Sequence, residues 1–278
     1  MKVAAVVVLC AYLAACDSAK DISPRQAPAT SLPAVLLSDG AAQPVAAAAW
    51  PNLLCELADG MDGASCHLVG GGAMALELSH AGFEPVIAGV GDRSRGGVTA
   101  RGQISSGMGI VLGSGFVSEF RPIAPLGLLQ IDGTVVSELS NHGYTRIIGL
   151  RDGALDIIGR ADYHRGLFTS AMQVGPGVVE LGKLDISERE LNLPAHFRAF
   201  VARCEASTLV GITLKPMHLY NLGGDLLATF EAAGINCTEV ANISGDLEAL
   251  LAVTSGERTL YIGNPDSPKA SLIAWKQT

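Results

Sequence analysis

Oxygen-bearing side chains alternate along the segment "TEVANISGDLEALL" near the C-terminus. Asn242, Ser244 and Asp246 are each separated by one residue, a spacing that suits either a calcium loop or the acid–base groups of a hydrolase. An EF-hand loop would require a glycine in place of Leu247 and a carboxylate in place of Val253. Both requirements fail, so we predict no metal site in this segment.

The same segment also fits a strand, a polar turn and a helix over residues 246–253. Ser244 could cap such a helix, and Asp246 and Glu248 suit the positive end of its dipole. Those two carboxylates would repel an anionic substrate from the helix N-terminus. A purely structural role for the turn therefore stays open beside a catalytic one.

Two further places carry side chains suited to acid–base or phosphate chemistry. His218 and Tyr220 lie at the predicted start of a helix, and a histidine can act as a general acid or base near neutral pH. Arg198 and Arg203 lie on a predicted strand, and a guanidinium that faces a cleft can bind phosphate with two hydrogen bonds. A capping histidine and a solvated strand arginine are the alternatives, and the residues alone leave them open.

Short apolar runs bounded by glycine, proline or aspartate predict many strands. The runs are 73–78, 85–90, 109–114, 127–131, 145–150, 154–159, 170–175, 197–204, 208–213, 235–242 and 259–263. Asp-Gly pairs at 132–133 and 152–153 separate neighbouring runs, and such pairs favour tight hairpins because glycine tolerates a positive φ. The middle of the chain is therefore predicted to be an antiparallel meander.

The clearest helix is predicted over residues 216–233, with Gly234 as its C-cap. Apolar side chains recur on one face at helical spacing: Leu219, Leu222, Leu226 and Phe230. The pair Gly223-Gly224 costs about 2 kcal/mol of helix stability relative to alanine. A kink at this pair, or a helix that begins at Asp225, is therefore the alternative.

The N-terminus has the pattern of a bacterial export signal. One lysine is followed by an apolar run over residues 3–13, which is too short to span a bilayer as a helix. Residues 1–15 are therefore predicted to be a signal peptide. The motif "LAAC" that ends at Cys16 resembles a lipobox, which implies lipidation of Cys16, and Asp17 resembles a signal for retention in the inner membrane. We expect a lipid anchor on the periplasmic side of a bacterial envelope.

Residues 16–49 are rich in alanine, proline, serine and glutamine, which predicts a tether, followed by one folded domain over residues 50–278. The stretch "LPAVLL" within the tether could instead be a strand of the domain. The formal net charge is −8 and the chain has no run of lysine or arginine. Nucleic acid is therefore not an expected partner.

Four cysteines remain once Cys10 in the signal peptide and the lipidated cysteine are set aside: Cys55, Cys66, Cys204 and Cys237. An even number in an oxidising compartment predicts two disulfides, and proximity in sequence favours pairs 55–66 and 204–237. Each would stabilise the fold by about 3–4 kcal/mol in the chain-entropy model. Zinc binding is disfavoured because the cysteines lack a short Cys-x-x-Cys spacing and an accompanying histidine cluster.

Several motifs follow one another in the order of a known family. They are "GSGFVSEF" (113–120), "PLGLLQIDG" (125–133) and "QVGPGVVELGKL" (173–184), then the strand "FRAFVARC", the helix and "NISGD" (242–246). Their order over about residues 110–253 resembles the bacterial phosphodiester glycosidase domain. That family is related to the enzyme that uncovers mannose 6-phosphate in lysosomal targeting.

The resemblance implies an α+β fold, with a single domain around a large mixed, mostly antiparallel sheet and a few helices. It also implies hydrolysis of a sugar-1-phosphodiester, a cleavage at the anomeric carbon through an oxocarbenium-like transition state. The expected ligand is a sugar-phosphate or a glycan, and no cofactor is expected.

By this resemblance, the Gly175-Pro176 element would form a wall of the cleft and Arg198 would contact the phosphate. Asn242 keeps the family's asparagine, whereas Ser244 stands where the family has aspartate. A serine cannot replace a carboxylate as a base at neutral pH. Asp246 or Glu248 would then have to supply the charge from a shifted position.

The candidate catalytic residues are therefore Asp246, His218 and Asn242, and the candidate substrate-binding residues are Gly175, Pro176, Arg198, Tyr220 and Ser244. Two hypotheses follow from them. The first is a lipid-anchored periplasmic hydrolase of the phosphodiester glycosidase type. The second is a catalytically degenerate glycan-binding or scaffold lipoprotein. A structural lipoprotein of another α+β fold is a third possibility.

Overall fold

The computed structural model describes residues 31–90, 96–113, 115–120, 123–141 and 143–278 of the chain. The predicted signal peptide, the lipidation site Cys16 and Asp17 lie outside the described residues, so they stay predictions. No helix in the described ranges is both long enough and apolar enough to cross a membrane.

Strands dominate the described chain, and we number them in chain order. They are β1 (Ala34–Ser38), β2 (Ala41–Pro44), β3 (Ala64–Val69), β4 (Ala73–Ser79), β5 (Phe83–Gly89), β6 (Ile110–Leu112), β7 (Val117–Phe120), β8 (Ile123–Pro125), β9 (Leu129–Ile131), β10 (Thr134–Ser137), β11 (Arg146–Arg151), β12 (Ala154–Gly159), β13 (Ser170–Val174), β14 (Gly177–Glu180), β15 (Lys183–Leu184), β16 (Arg198–Cys204), β17 (Ser207–Thr213), β18 (Cys237–Gly245), β19 (Leu251–Ser255), β20 (Arg258–Ile262) and β21 (Ser271–Gln277).

Helices are few and mostly short. The α-helices are α1 (Trp50–Asp59), α2 (Ala100–Ser105) and α3 (Leu219–Ala233). Single turns of 3-10 helix occupy Ala47–Ala49, Arg160–Asp162, Glu188–Asn192 and Asp246–Glu248.

The strands form three main sheets and one small hairpin. The first sheet has the order β2-β1-β20-β19-β6-β21-β5, the second β10-β9-β13-β11-β12 and the third β15-β14-β18-β16-β17-β4-β3, while β7 pairs with β8. Neighbouring strands are antiparallel, as in the β11–β12 hairpin whose turn contains the predicted Asp-Gly pair. The predicted α+β fold with mostly antiparallel strands is confirmed, and its strands are divided among three sheets.

The main core lies where the three sheets and α1 meet. Trp50 of α1, Leu76 of the third sheet, Ile148 of the second and Trp275 of the first all belong to it. A second core lies between α3 and the outer face of the third sheet. Strands β16 and β18 are therefore covered on both faces, which explains why their sequences read as nearly continuous apolar runs.

The folded domain begins earlier than residue 50, the boundary predicted from composition. β1 pairs with β20, with Val35 opposite Tyr261, and Leu32 is only 5% exposed. β1 and β2 therefore form a hairpin of the first sheet and are not part of a tether. The alternative prediction, in which "LPAVLL" is a strand of the domain, is confirmed. Apolar residues among the alanines and prolines are what fix this hairpin to the sheet.

Both predicted disulfides are present. Cys55–Cys66 joins α1 to β3, and Cys204–Cys237 joins the neighbouring strands β16 and β18. These bonds exclude zinc binding by the four cysteines.

The helix predicted over residues 246–253 is wrong. Asp246–Glu248 forms only one 3-10 turn, and the following residues form β19 between β20 and β6. Ala252 and Val253 are buried on opposite faces of that sheet. Burial in the sheet therefore overrides the helix propensity of the "LEALL" sequence.

The helix predicted over residues 216–233 corresponds to α3, which ends at Gly234 in the left-handed conformation, with φ +67°. The helix continues without a break through the two glycines. A β-carbon on Gly223 would overlap Leu184 Cδ1 and lie 3.0 Å from Val178 Cγ1, so this glycine lets α3 pack closely on the third sheet. A β-carbon on Gly224 would meet nothing within 4 Å.

Alanine substitutions at these neighbouring positions are expected to have opposite effects. Gly224→Ala should raise the free energy of unfolding by about 1 kcal/mol, because alanine restricts the unfolded chain and fits the open space. Gly223→Ala should lower it, because overpacking a core costs about 1–3 kcal/mol. Denaturant unfolding of both variants checks this, and equal gains in the two would contradict the close packing at Gly223.

Candidate functional site

Three chain segments meet at one end of the third sheet. The residues just before β16 form an isolated bridge with the residues just before α3, in which His196 N–H donates to the Met217 carbonyl and Met217 N–H donates to the His196 carbonyl. The turn after β18 joins them, because Asp246 N–H donates to the Phe197 carbonyl over 2.9 Å. Backbone hydrogen bonds therefore place His196, Asp246 and His218 around one location.

His196 and Asp246 form a close pair in which His196 Nδ1 lies 2.7 Å from Asp246 Oδ2. An ionised carboxylate only accepts hydrogen bonds, so Nδ1 carries the proton and Nε2 is left as an acceptor. Asp246 has a positive φ of +52°, a conformation that aspartate adopts more readily than most residues. Its side chain is 34% exposed, so the pair is accessible to solvent.

A contact with a residue that precedes β21 of the first sheet also fixes the turn that carries Asp246. Lys269 is only 1% exposed and forms an ion pair with Glu248, two residues after Asp246. Ala249 N–H closes the turn by donating to the Asp246 carbonyl over 3.0 Å. The position of the Asp246 carboxylate is therefore fixed by two sheets.

Glu190 lies beside this pair and connects three groups. It comes from the 3-10 turn Glu188–Asn192, and its Oε2 accepts from Tyr220 N–H at 3.2 Å and lies 3.7 Å from His218 Nδ1. Its Oε1 lies 3.8 Å from Arg198 Nη2. Burial lowers the pKa of Arg198, whereas the charges of Glu190 and Asp246 raise it.

Four buried polar atoms at this location have no hydrogen-bond partner within the described part of the chain: Glu190 Oε1, Arg198 Nε, His218 Nδ1 and Asp246 Oδ1. Leaving a buried polar atom unsatisfied costs about 1–3 kcal/mol, so such atoms are rare in folded proteins. The two carboxylate oxygens accept hydrogen bonds and the guanidinium donates one. All four atoms are shielded from solvent, and their nearest charged partners lie at long range, with Glu190 3.8 Å from Arg198 Nη2 and 3.7 Å from His218 Nδ1.

A cavity of about 530 Å³, which we call the α3 cavity, is lined by one of these four residues, His218. Its wall includes His218 and Tyr220, which both contact Glu190, together with Lys215 and Gly224. Its volume lies within the usual range of small-molecule sites. Among the described residues, no three His, Cys, Asp or Glu side chains are grouped as metal ligands.

The structure thus brings together Asp246, His218, Arg198 and Tyr220 of the residues predicted from sequence. Asn242 is instead buried, with 1% exposure, and its Nδ2 donates to the Gly175 carbonyl over 3.3 Å. The Gly175-Pro176 element is also bound to the Asn242 backbone on both sides. These three residues hold β14 against β18 and do not line the α3 cavity.

Ser244 is buried within the sheet, with 2% exposure, and its hydroxyl has no hydrogen-bond partner in the described ranges. It lies opposite Ala199 on β16. A β-carbon on Gly113 would lie 2.8 Å from Ser244 Oγ, so a glycine covers it closely. No carboxylate therefore stands at the position where the resembling family has aspartate.

The sequence analysis missed His196 and Glu190. His196 precedes Arg198 by two residues, and side chains two apart on an extended chain lie on the same face. The spacing therefore predicts that the His196 side chain lies on the same face of the chain as Arg198. Glu190 carried no comparable local signal, because its partners lie on β16 and α3.

A second group of charged side chains lies behind the Gly175-Pro176 element. The Arg146 guanidinium is buried and pairs with Asp185 at 2.6 Å and Glu180 at 3.2 Å. Glu239 is buried beside it and accepts from Leu181 N–H at 3.1 Å. Burial raises the pKa of Glu239 despite that hydrogen bond and the charges of nearby arginines.

The comparisons with known proteins identify the fold. No protein-family model and no curated protein matches the sequence. The structure is similar to the catalytic domain of zebrafish N-acetylglucosamine-1-phosphodiester alpha-N-acetylglucosaminidase auto-inhibited by its pro-peptide, with a TM-score of 0.55 and 12% identity over 74% of this chain and 77% of that one. It also resembles a hypothetical protein from Synechocystis, with a TM-score of 0.48 and 11% identity over 76% of this chain and 61% of that one. The first of these shows that the chain shares the fold of a glycosidase catalytic domain.

The raised pKa of Glu239 predicts a pH-dependent stability. A folded-state pKa above the ordinary value of 4.5 favours the protonated form, so this contribution is complete below 4.5 and is lost as the pH rises through the folded-state value. Glu239→Gln removes the ionisation while keeping an oxygen for Leu181 N–H. The free energy of unfolding of the variant relative to the wild type should therefore increase from about pH 4 to about pH 7. A relative stability that falls over this range in urea titrations would contradict the assignment.

Proposed function

We propose that the protein is a hydrolase of the phosphodiester glycosidase type that acts on a sugar-phosphate or glycan, with the His196–Asp246 pair as its acid–base group. The observation that carries this proposal is the solvent-accessible His196–Asp246 pair, beside which four polar atoms have no hydrogen-bond partner among the described residues. The fold shared with a glycosidase catalytic domain supports it at the level of architecture.

In the proposed reaction, water attacks the anomeric carbon of a sugar-1-phosphodiester. His196 Nε2 takes one proton from the water, and Asp246 stabilises the imidazolium that forms. The bond between the anomeric carbon and the phosphate oxygen breaks, and a phosphate monoester leaves as a dianion. Because phosphate is already a good leaving group, the leaving oxygen needs little help from an acid.

The polar groups next to the His196–Asp246 pair can form hydrogen bonds with the sugar of the substrate. Glu190 Oε1 and Asp246 Oδ1 can accept from sugar hydroxyls, and Arg198 Nε can donate to a sugar oxygen. The guanidinium also balances part of the negative charge of the two carboxylates. We therefore propose Arg198 as a substrate-binding residue, with His218 and Tyr220 positioning Glu190 through their contacts with its carboxylate.

We also propose that the protein acts on the periplasmic side of a bacterial envelope, anchored by a lipid on Cys16. The lipobox-like motif supports the anchor. The two disulfides support a compartment outside the cytoplasm, since disulfides form and persist in oxidising compartments.

Glycan binding without turnover is the second candidate function. The observation that favours it is the buried Ser244 in the position where the resembling family has aspartate. In this case the same four polar atoms would hold a sugar, and the His196–Asp246 pair would only contribute hydrogen bonds.

Sugar release from a panel of sugar-1-phosphodiesters distinguishes the two functions. For a hydrolase, His196→Gln and Asp246→Asn should each lower kcat by about 10²–10⁴-fold, because general acid–base groups contribute rates of this size. His164→Gln, at an exposed histidine that contacts only a neighbouring carbonyl among the described residues, is the matched control and should keep full activity. Full activity of Asp246→Asn would contradict the assigned pair. Glycan binding without any release would establish the second function.

The bond that breaks provides an independent test of the mechanism. Attack at the anomeric carbon places the water oxygen on the sugar, so hydrolysis in ¹⁸O-labelled water should label the sugar and leave the phosphate unlabelled. Mass spectrometry of both products measures this. Label on the phosphate would mean attack at phosphorus and would overturn the proposed chemistry.

A further inference from the structure

Three leucines with exposed side chains lie beside the charged residues of the candidate site, and we call them the leucine rim. Leu191 and Leu193 lie in and directly after the 3-10 turn that carries Glu190, and Leu247 follows Asp246. The three leucines are 37%, 57% and 53% exposed, in that order. Among the described residues, only three other large apolar side chains are comparably exposed, and they lie on other parts of the chain.

A group of exposed leucines around a polar site indicates a surface that meets an apolar partner. Single apolar side chains on a surface are normal, whereas apolar groups bordered by polar residues mark protein or membrane contacts. The charged residues beside the rim have mixed sign, since Glu188 and Arg189 are both exposed. The partner is therefore recognised by apolar contact more than by charge.

The point where the chain enters the folded domain lies beside the rim. The Pro33 carbonyl accepts a hydrogen bond from Gly263 N–H over 2.8 Å. Gly263 in turn packs so closely that a β-carbon on it would overlap the Ala249 carbonyl. Ala249 N–H closes the turn by donating to the Asp246 carbonyl. Two contacts therefore join Pro33 to the turn that contains Leu247.

A lipid on Cys16, as predicted from the sequence, would bring this surface close to a membrane. Residues 16–30 separate the predicted anchor from the first described residue, and a chain of this length spans at most ~54 Å when fully extended. The membrane would then lie within that distance of Pro33. A tether of limited length gives the attached surface a high effective concentration of lipid, so even a small apolar patch can stay bound.

We infer that the leucine rim docks on the lipid surface that carries the anchor, so that the candidate site opens toward the lipid headgroups. The occupant is a bilayer and not a second copy of the chain, because the anchor brings every molecule next to lipid, whereas pairing requires two molecules to meet. Docking of this kind goes beyond the proposed function and is independent of whether the site hydrolyses its ligand.

Tryptophan reporters in the lipidated full chain test the docking without any substrate. After reconstitution into phosphatidylcholine vesicles, Leu193→Trp and Leu247→Trp should each shift their emission to shorter wavelength. They should also lose intensity when the lipid acyl chains are brominated, because bromine quenches only nearby tryptophans. The native Trp50 and Trp275 are each 1% exposed, so the wild type supplies a background that can be subtracted.

Leu181→Trp is the matched control, because Leu181 is 76% exposed but lies at the opposite end of β18. Its neighbour Gly182 donates its N–H to the Thr238 carbonyl. Thr238 lies eight positions before Asp246, which corresponds to roughly 26 Å along an extended strand. Emission of this control should be the same in brominated and unbrominated lipid.

A charge placed in the rim provides the second measurement. In the Leu193→Trp reporter, Leu247→Asp should weaken the quenching, because a carboxylate is unfavourable among lipids, whereas Leu181→Asp should leave it unchanged. Added salt should have little effect, since the contact is apolar.

Equal quenching of the rim reporters and Leu181→Trp, no quenching of either rim reporter, or quenching that Leu247→Asp leaves intact would each overturn the inference. A shift to shorter wavelength without quenching by brominated lipid would mean that a second copy of the chain covers the rim, and it would overturn the inference as well.

Discussion

The antiparallel pairing of β16 with β18 is the constraint on which the site depends. At one end of the pair Cys204 lies opposite Cys237 and is bonded to it, and at the other end Arg198 lies opposite Gly245. His196 precedes the first strand and Asp246 follows the second, so the register of this pair decides whether their side chains meet. A slip of one residue would turn every side chain of a strand to the opposite face, and the disulfide prevents it. A bond at the opposite end of the strand pair thus holds the site in place.

The register also contains a bulge at the site end. Ala199 lies opposite Ser244 and Phe200 opposite Asn242, so Ile243 is an extra residue on β18. A bulge bends the strand and re-aims the side chains beyond it. Here the bulge directly precedes the residue with positive φ and the 3-10 turn that Lys269 holds through Glu248. The irregular backbone at the end of β18 is stabilised by contacts from two sheets, which is what a strained conformation requires in order to persist.

Local sequence patterns predicted those features that depend on neighbours in the chain. The Asp152-Gly153 turn, the C-cap of α3 and the Cys55–Cys66 disulfide follow from residues that lie close together in sequence, and that first bond leaves Cys204 and Cys237 to form the second. The helix expected after Asp246 failed because β19 is buried between two other strands, which no local pattern reveals. Glu190 and His196 were missed for a related reason. His196 pairs with Asp246 and Glu190 with His218, and only the packing of α3 and the two strand ends brings these distant residues together.

The burial of Ser244 explains why, in the proposed mechanism, the acid–base group lies at the edge of the third sheet and not inside it. With 2% exposure and Gly113 packed against its hydroxyl, this position offers a carboxylate little water. A carboxylate buried at this position without a cationic partner would destabilise the fold. Asp246 lies two residues further along, where 34% of its side chain is exposed and His196 provides a hydrogen bond. At this position the carboxylate has both solvent and a hydrogen-bond partner. The serine inside the sheet and the acid–histidine pair at its edge are therefore both positioned by the single strand β18 and the turn that follows it.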